Sequence, residues 1–167
     1  MNHFDRLGLP TQFELAGTEI ERQYLQRSRA VHPDFFQSGG NVEQRASLDA
    51  SSALNESYAV LKDPFKRADY LLGLLGGPGA AELKQMPTAF LEEMLELRME
   101  IDDVREQPDS PVFAAMEDQL QKRQAGLLSQ IATHFAAIDS PHTKTSIRQL
   151  LNAGKYMQGL LRDLHAD

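Results

Sequence analysis

Pro33 stands between two amphipathic stretches and fixes where the first of them ends. A residue that precedes proline is pushed out of the helical region, so a helix running from Thr18 to Val31 must stop at His32. Thr18 with Glu21 reads as a capping box for its start. Ile20, Tyr24, Ser28 and Val31 recur at helical spacing and should face a core. Gly39-Gly40 closes a loop, and Asn41 with Gln44 reads as the next cap. The second helix then carries Ala46, Ala50, Ala53, Leu54, Tyr58 and Leu61 on one stripe, whose small residues allow close helix approach. Asp63-Pro64 stops it and starts a short helix through about Leu75, while Phe4 to Leu9 is a short apolar segment ended by Pro10. The pattern predicts an antiparallel helical hairpin with His32-Pro33-Asp34 in its connecting loop.

Gly76-Gly77-Pro78-Gly79 is the clearest linker signal in the chain. Three more helices are predicted beyond it. The first runs from about Thr88 to Arg105. The second starts at Ser110-Pro111, a capping serine followed by proline at the first helical position, and carries Phe113, Met116, Leu120, Leu127, Ile131, Phe135 and Ile138. The third starts near Ser140-Pro141 and carries Ile147, Leu150, Leu151, Met157, Leu161 and Leu164. Short turns between long helices imply antiparallel neighbours, hence a three-helix bundle. No strand and no internal repeat is expected.

Composition removes several function classes. The 167 residues include no cysteine, so neither a disulfide framework nor a thiolate metal site is available. The net charge of −7 argues against nucleic acid as the main partner. No apolar run approaches the ~20 residues of a membrane span, and MNHFDRLGLP shows no secretory signal. A cytoplasmic protein with no membrane partner is expected.

His32 and Asp34 suggest a general base and its orienter, since histidine titrates near neutral pH. Yet no nucleophile, oxyanion donor or phosphate-cradling loop lies near them in sequence, and Gly76-Gly77-Pro78-Gly79 lacks the lysine of a phosphate loop. His3, His134, His142 and His165 show no metal-ligand spacing. The residues therefore predict no enzyme, no metal and no cofactor.

The residues around the tripeptide carry a resemblance. FDRLGLP at 4–10, Tyr24 eight residues before His32, and LNESYAVLKDPFKRADYLL at 54–72 fall where J-domains carry them. After the linker, TAFLEEMLELR at 88–98 resembles the C-terminal domain of HscB-type co-chaperones of iron–sulfur cluster assembly. The likeness spans nearly the whole chain. It implies an all-α, L-shaped protein: a J-domain over 1–75, a linker over 76–87 and an antiparallel three-helix bundle over 88–167. It implies that His32, Pro33 and Asp34 stimulate the ATPase of a dedicated HscA-class heat-shock chaperone. The bundle would deliver an IscU-type iron–sulfur scaffold protein to that chaperone. The alternative is a J-domain co-chaperone that brings a different client to a general DnaK-class chaperone.

Two departures from the J-domain pattern stand out. Phe35 occupies the place after the tripeptide where lysine is common, and the basic face of the preceding helix is thin. Arg22, Gln26 and Arg29 share that face, with Arg27 on its flank and Glu21 beside it. These four are the expected chaperone contacts on the helix.

Spacing alone marks a partner surface on the helix from Thr88. Phe90, Met94, Leu97, Ile101 and Val104 fall within about 80° of one another at about 100° per residue. Leu91, Leu95 and Met99 form a second stripe roughly 140° round. A helix in a small bundle usually buries one stripe, so the second is surplus, and Glu92 and Glu96 border it. Tyr156 lies off the stripe of its own helix and is expected to join the same surface. The resemblance assigns scaffold binding to Leu91, Leu95, Glu96 and Tyr156; the spacing adds Glu92 and Met99. Asp102-Asp103 reads as plain solvated surface.

Overall fold

Proline and serine set several of the helix boundaries in this computed structural model, which describes Met1–Ala166; Asp167, the end of the expected C-terminal unit, lies outside the described residues. The helices are α1 (His3–Leu7), α2 (Gly17–Ala30), α3 (Asn41–Lys62), α4 (Pro64–Leu74), α5 (Thr88–Val104), α6 (Pro111–Ala136) and α7 (Pro141–Leu164), with a 3₁₀ turn over Pro33–Phe36. No strand occurs among the described residues. The chain divides into two compact units, Met1–Leu71 and the residues from Leu72 onward.

In the first unit α2 and α3 form the hairpin. The Tyr24 and Tyr58 rings stack with centroids 4.1 Å apart and planes 8° from parallel. The Tyr24 hydroxyl donates to Asn55 Oδ1 at 2.6 Å. Ser47 is buried and its hydroxyl donates to the Val31 carbonyl at 2.7 Å. Ala46, expected in the stripe of α3, is exposed; Ser47 takes the inward place because it can satisfy the last carbonyl before the loop. α1 packs Phe4 and Leu7 into the core. It ends at Gly8, whose φ of 65° is left-handed and favours glycine. His3 Nδ1 lies 2.8 Å from the buried Ser57 hydroxyl, and burial lowers the His3 pKa below its ordinary value.

Two predicted caps do not form. The N-cap of α2 is Ala16 and that of α3 is Gly40, and neither makes a side-chain capping bond. Gln44 instead donates to the Gln37 and Gly39 carbonyls, bracing the loop. Thr18, expected to cap α2 with Glu21, lies inside its first turn, past the N-cap position. A capping box does occur at Asn2 and Asp5 of α1.

Arg67 ties the first unit together. It is buried, donates Nε to the Phe13 carbonyl at 2.9 Å and donates Nη1 to the Leu61 carbonyl at 2.6 Å. The Leu61 carbonyl belongs to the last turn of α3, where intrahelical donors run out. The guanidinium also lies 5.2 Å from the Phe13 ring centroid.

The second unit is an up-down-up bundle of α5, α6 and α7. Its core is Met94, Leu97 and Ile101 of α5, Phe113, Met116 and Leu120 of α6, and Met157, Leu160 and Leu164 of α7. Ser110 and Ser140 cap α6 and α7 as predicted, each followed by proline. The glycine-rich stretch begins as a helix stop: Gly76 has φ 78° and Gly77 donates to the Leu72 carbonyl at 2.9 Å, closing α4. The segment that follows is pinned to α7. Buried Arg148 donates Nε to the Pro78 carbonyl at 2.9 Å, and buried Asn152 donates to the Leu83 carbonyl at 2.9 Å.

Replacing Arg67 by alanine removes two hydrogen bonds to buried carbonyls, at ~1–3 kcal/mol for each group left unsatisfied. We expect Arg67→Ala to lower the unfolding free energy of the first unit by about 3 kcal/mol in urea titrations. A change under about 1 kcal/mol would show that water replaces the guanidinium without loss.

Candidate functional site

Two surfaces carry the residues singled out in the sequence. The first is the loop between α2 and α3. His32 has φ −61° and ψ 133°, the extended geometry that Pro33 demands of its predecessor. Its Nδ1 accepts the Asp34 amide at 3.2 Å. That bond requires an unprotonated Nδ1, so a neutral ring carries its proton on Nε2. The Asp34 carboxylate lies 3.5 Å from the same Nδ1, and Gln37 donates to its other oxygen at 3.3 Å. His32 and Asp34 are thus exposed yet locally ordered by their own loop. Phe35, the next residue, is 72% exposed.

The four expected helix contacts do not share one environment. Gln26 and Arg29 are exposed. Arg22 is exposed but forms a two-point pair with Glu19 at 2.9 and 2.7 Å. The Arg22 hydrogen bonds hold the Glu19 carboxyl at about 2, well below the usual range, so the pair stays charged. Arg27 turns away from the others. It donates to Gln23 at 2.7 Å, and its guanidinium lies against Gly8, where a Cβ would collide with it. Arg27 therefore braces the end of α1, and only Arg22, Gln26 and Arg29 are presented on the face of α2. The absence of a Cβ at Gly8 is what admits it, a pairing that spacing on α2 alone could not reveal.

The second surface lies on α5. Met94, Leu97 and Ile101 are buried, with Phe90 and Val104 partly so. Leu91, Leu95 and Met99 are 41%, 62% and 64% exposed. Glu92 and Glu96 are exposed beside them. Tyr156 is 38% exposed, and its ring meets Phe90 edge-on with centroids 5.4 Å apart. That contact sets Tyr156 at the seam of α5 and α7. Phe90, assigned to the core stripe by spacing, therefore also supports the outer surface. Arg98 and Asp163 pair across the same seam at 3.7 Å, and Arg123 pairs with Glu93 on the opposite flank of α5. Interhelical ion pairs thus stand on both sides of α5.

Among the described residues no group of three or more His, Cys, Asp or Glu side chains gathers closely enough to hold a metal ion. No helix among them is long and apolar enough to cross a membrane. A groove of about 320 Å³ opens between the start of α5 and helices α6 and α7, lined by Phe90, Leu127, Leu150 and Ala153 with Arg123 and His134.

Residues 2–70 match the DnaJ domain family, and residues 86–165 match the HSCB C-terminal oligomerisation domain family. The co-chaperone protein HscB of Proteus mirabilis is 37% identical over 111 residues, a match that covers 66% of this chain and 64% of that protein. The co-chaperone protein HscB homolog of Vibrio cholerae is 32% identical over 152 residues, covering 90% of this chain and 89% of that protein. Among solved structures, chaperone HscB from Vibrio cholerae superposes with a TM-score of 0.84 at 27% identity, covering 98% of this chain and 95% of that one. Human co-chaperone protein HscB shares the fold, with a TM-score of 0.82 over 98% of this chain and 80% of that one at 23% identity.

The burial pattern on α5 makes a stability prediction. Leu97→Ser, at a buried core position, loses apolar burial and buries a hydroxyl, and should destabilise the bundle by about 3 kcal/mol. Leu91→Ser with Leu95→Ser, both at exposed positions, should change stability by under about 1 kcal/mol. Chemical denaturation of the two variants checks this; equal losses would mean the outer stripe is packed in solution.

Proposed function

The chain belongs to the HscB family of J-domain co-chaperones, and from that premise we propose that it serves iron–sulfur cluster assembly by joining two partners. One is an HscA-class heat-shock chaperone, whose ATPase the His32-Pro33-Asp34 loop stimulates. The other is an IscU-type scaffold protein, held on Leu91, Leu95, Met99 and Tyr156 with Glu92 and Glu96 at the rim. The protein does no chemistry of its own in this reading, needs no bound metal or cofactor, and acts in the cytoplasm.

The observation that carries the proposal is the exposure of the apolar stripe on α5, in the same chain as an ordered, solvent-facing His-Pro-Asp loop. Apolar side chains left outside a core and edged by carboxylates have the composition of an interface centre with a polar rim. The edge-on support of Tyr156 by Phe90 presents an aromatic ring with little freedom to lose on binding. Linking both sites through one chain raises the effective concentration of scaffold at the chaperone. Hydrolysis in the chaperone then locks it on the scaffold and promotes cluster transfer to recipient proteins. The Arg22, Gln26 and Arg29 side chains on α2 supply further chaperone contacts; Arg27 acts by holding α1 in place.

Two variants separate the two halves of the proposal. His32→Gln should abolish stimulation of the chaperone ATPase, measured as phosphate release, with the melting temperature unchanged because the ring fills no core space. Normal stimulation by this variant would sink the role given to the loop.

Leu91→Ser with Leu95→Ser should weaken scaffold binding roughly a thousandfold, at about 2 kcal/mol for each lost contact. Stimulation by the chain alone should survive, while the extra stimulation seen with scaffold should vanish. Titration calorimetry with unchanged affinity for an IscU-type protein would move the scaffold site elsewhere. A pull-down that recovers the ATPase with a different client would favour a general J-domain function.

A further inference from the structure

The charges on α2 nearly balance. The helix carries three arginines against two glutamates. Arg22 is matched by Glu19 at two points, and Arg27 is turned onto Gly8 and the neutral Gln23, off the exposed face. Arg29 is the one remaining arginine, in a chain whose net charge is −7. Long-range attraction to an acidic partner surface therefore has little to draw on.

The same face carries an exposed apolar side chain. Leu25 stands three residues after Arg22 and four before Arg29, so all three share one side of α2. Leu25 is 43% exposed, and Phe35, directly after the tripeptide, is 72% exposed. A lone surface leucine needs no explanation. A phenylalanine in water beside the residues that act on the partner is different, because it costs solvation and contributes nothing to the hairpin core.

We infer that Leu25 and Phe35 are the principal affinity contacts to the chaperone ATPase, which presents a matching apolar patch, and that docking depends only weakly on salt. This rests on the His-Pro-Asp loop being the ATPase-stimulating element, with which Phe35 is continuous in sequence. Screening weakens exposed charge pairs as the Debye length falls from about 10 Å at 0.1 M salt to about 3 Å at 1 M. Apolar burial loses nothing on that account.

The test is ATPase stimulation by the full chain, titrated at about 50 mM and about 300 mM potassium chloride, a range over which exposed ion pairs are progressively screened. The half-saturating concentration should rise less than about threefold. Leu25→Ala and Phe35→Ala should each raise it about tenfold at either salt, the effect of losing burial of a side chain of that size. Both variants should melt with the parent, as both side chains lie outside the core. A larger salt effect on the parent overturns the inference, as do alanine variants within about twofold of it. In those cases stimulation itself persists and the role of the loop stands. A parent chain that stimulates no chaperone ATPase removes both.

Discussion

The loop depends on the clamp that holds α2 against α3. Pro33 ends α2, but a broken helix alone would leave His32 in a floppy connection. The stack of Tyr24 on Tyr58 and the bond from Tyr24 to Asn55 fix the two helices side by side. Ser47 then takes the Val31 carbonyl, the last acceptor before the loop. With both ends anchored, the short-range bonds from Asp34 and Gln37 suffice to order the tripeptide without burying it. Order without burial is what a binding element needs, since it lowers the entropy lost on docking while leaving the side chains available.

Buried polar side chains play a comparable part elsewhere. Arg67 reaches the end of α3 and the Phe13 backbone, and Arg148 and Asn152 reach the segment after α4. Each spans residues far apart in sequence, and each satisfies carbonyls that no regular helix would. An apolar side chain at these places would bury surface but leave the carbonyls unpaired, at a cost that cancels the gain. This is why the stretch over 78–83, with the composition of a free linker, lies against α7.

Local signals made most of the helices legible. Ser110-Pro111 and Ser140-Pro141 are caps whose donor and acceptor lie within one turn, so sequence spacing suffices to find them. The apolar period separated Leu97 from Leu95, and the structure places them respectively in the core and in water. The failures have two causes. Thr18 and Asn41 fall inside the first turns of α2 and α3, a shift of two and one residues that sequence spacing does not resolve, whereas Ser47 displaces Ala46 because its carbonyl partner is supplied only by the folded hairpin. Arg27 looked like a surface cation because nothing on α2 shows that Gly8 lies beneath it. The anchoring by Arg148 and Asn152 was illegible for the same reason, since polar residues inside an apolar period give no hint of a carbonyl some seventy positions away.

The two exposed apolar sets are held differently, and that difference bears on what each can do. Leu91, Leu95 and Met99 project from a 17-residue helix whose other face is packed into the bundle core. Their spacing is set by helix geometry, and Tyr156 is held by Phe90 from below. Such a surface suits a partner that must be selected by shape and retained. Phe35 sits in a short 3₁₀ turn that contributes no buried residue of its own. A chaperone ATPase that cycles between nucleotide states must engage and release the same co-chaperone repeatedly. An apolar contact that takes no part in the hairpin core fits that demand, because it can be lost without disturbing the helices that carry it.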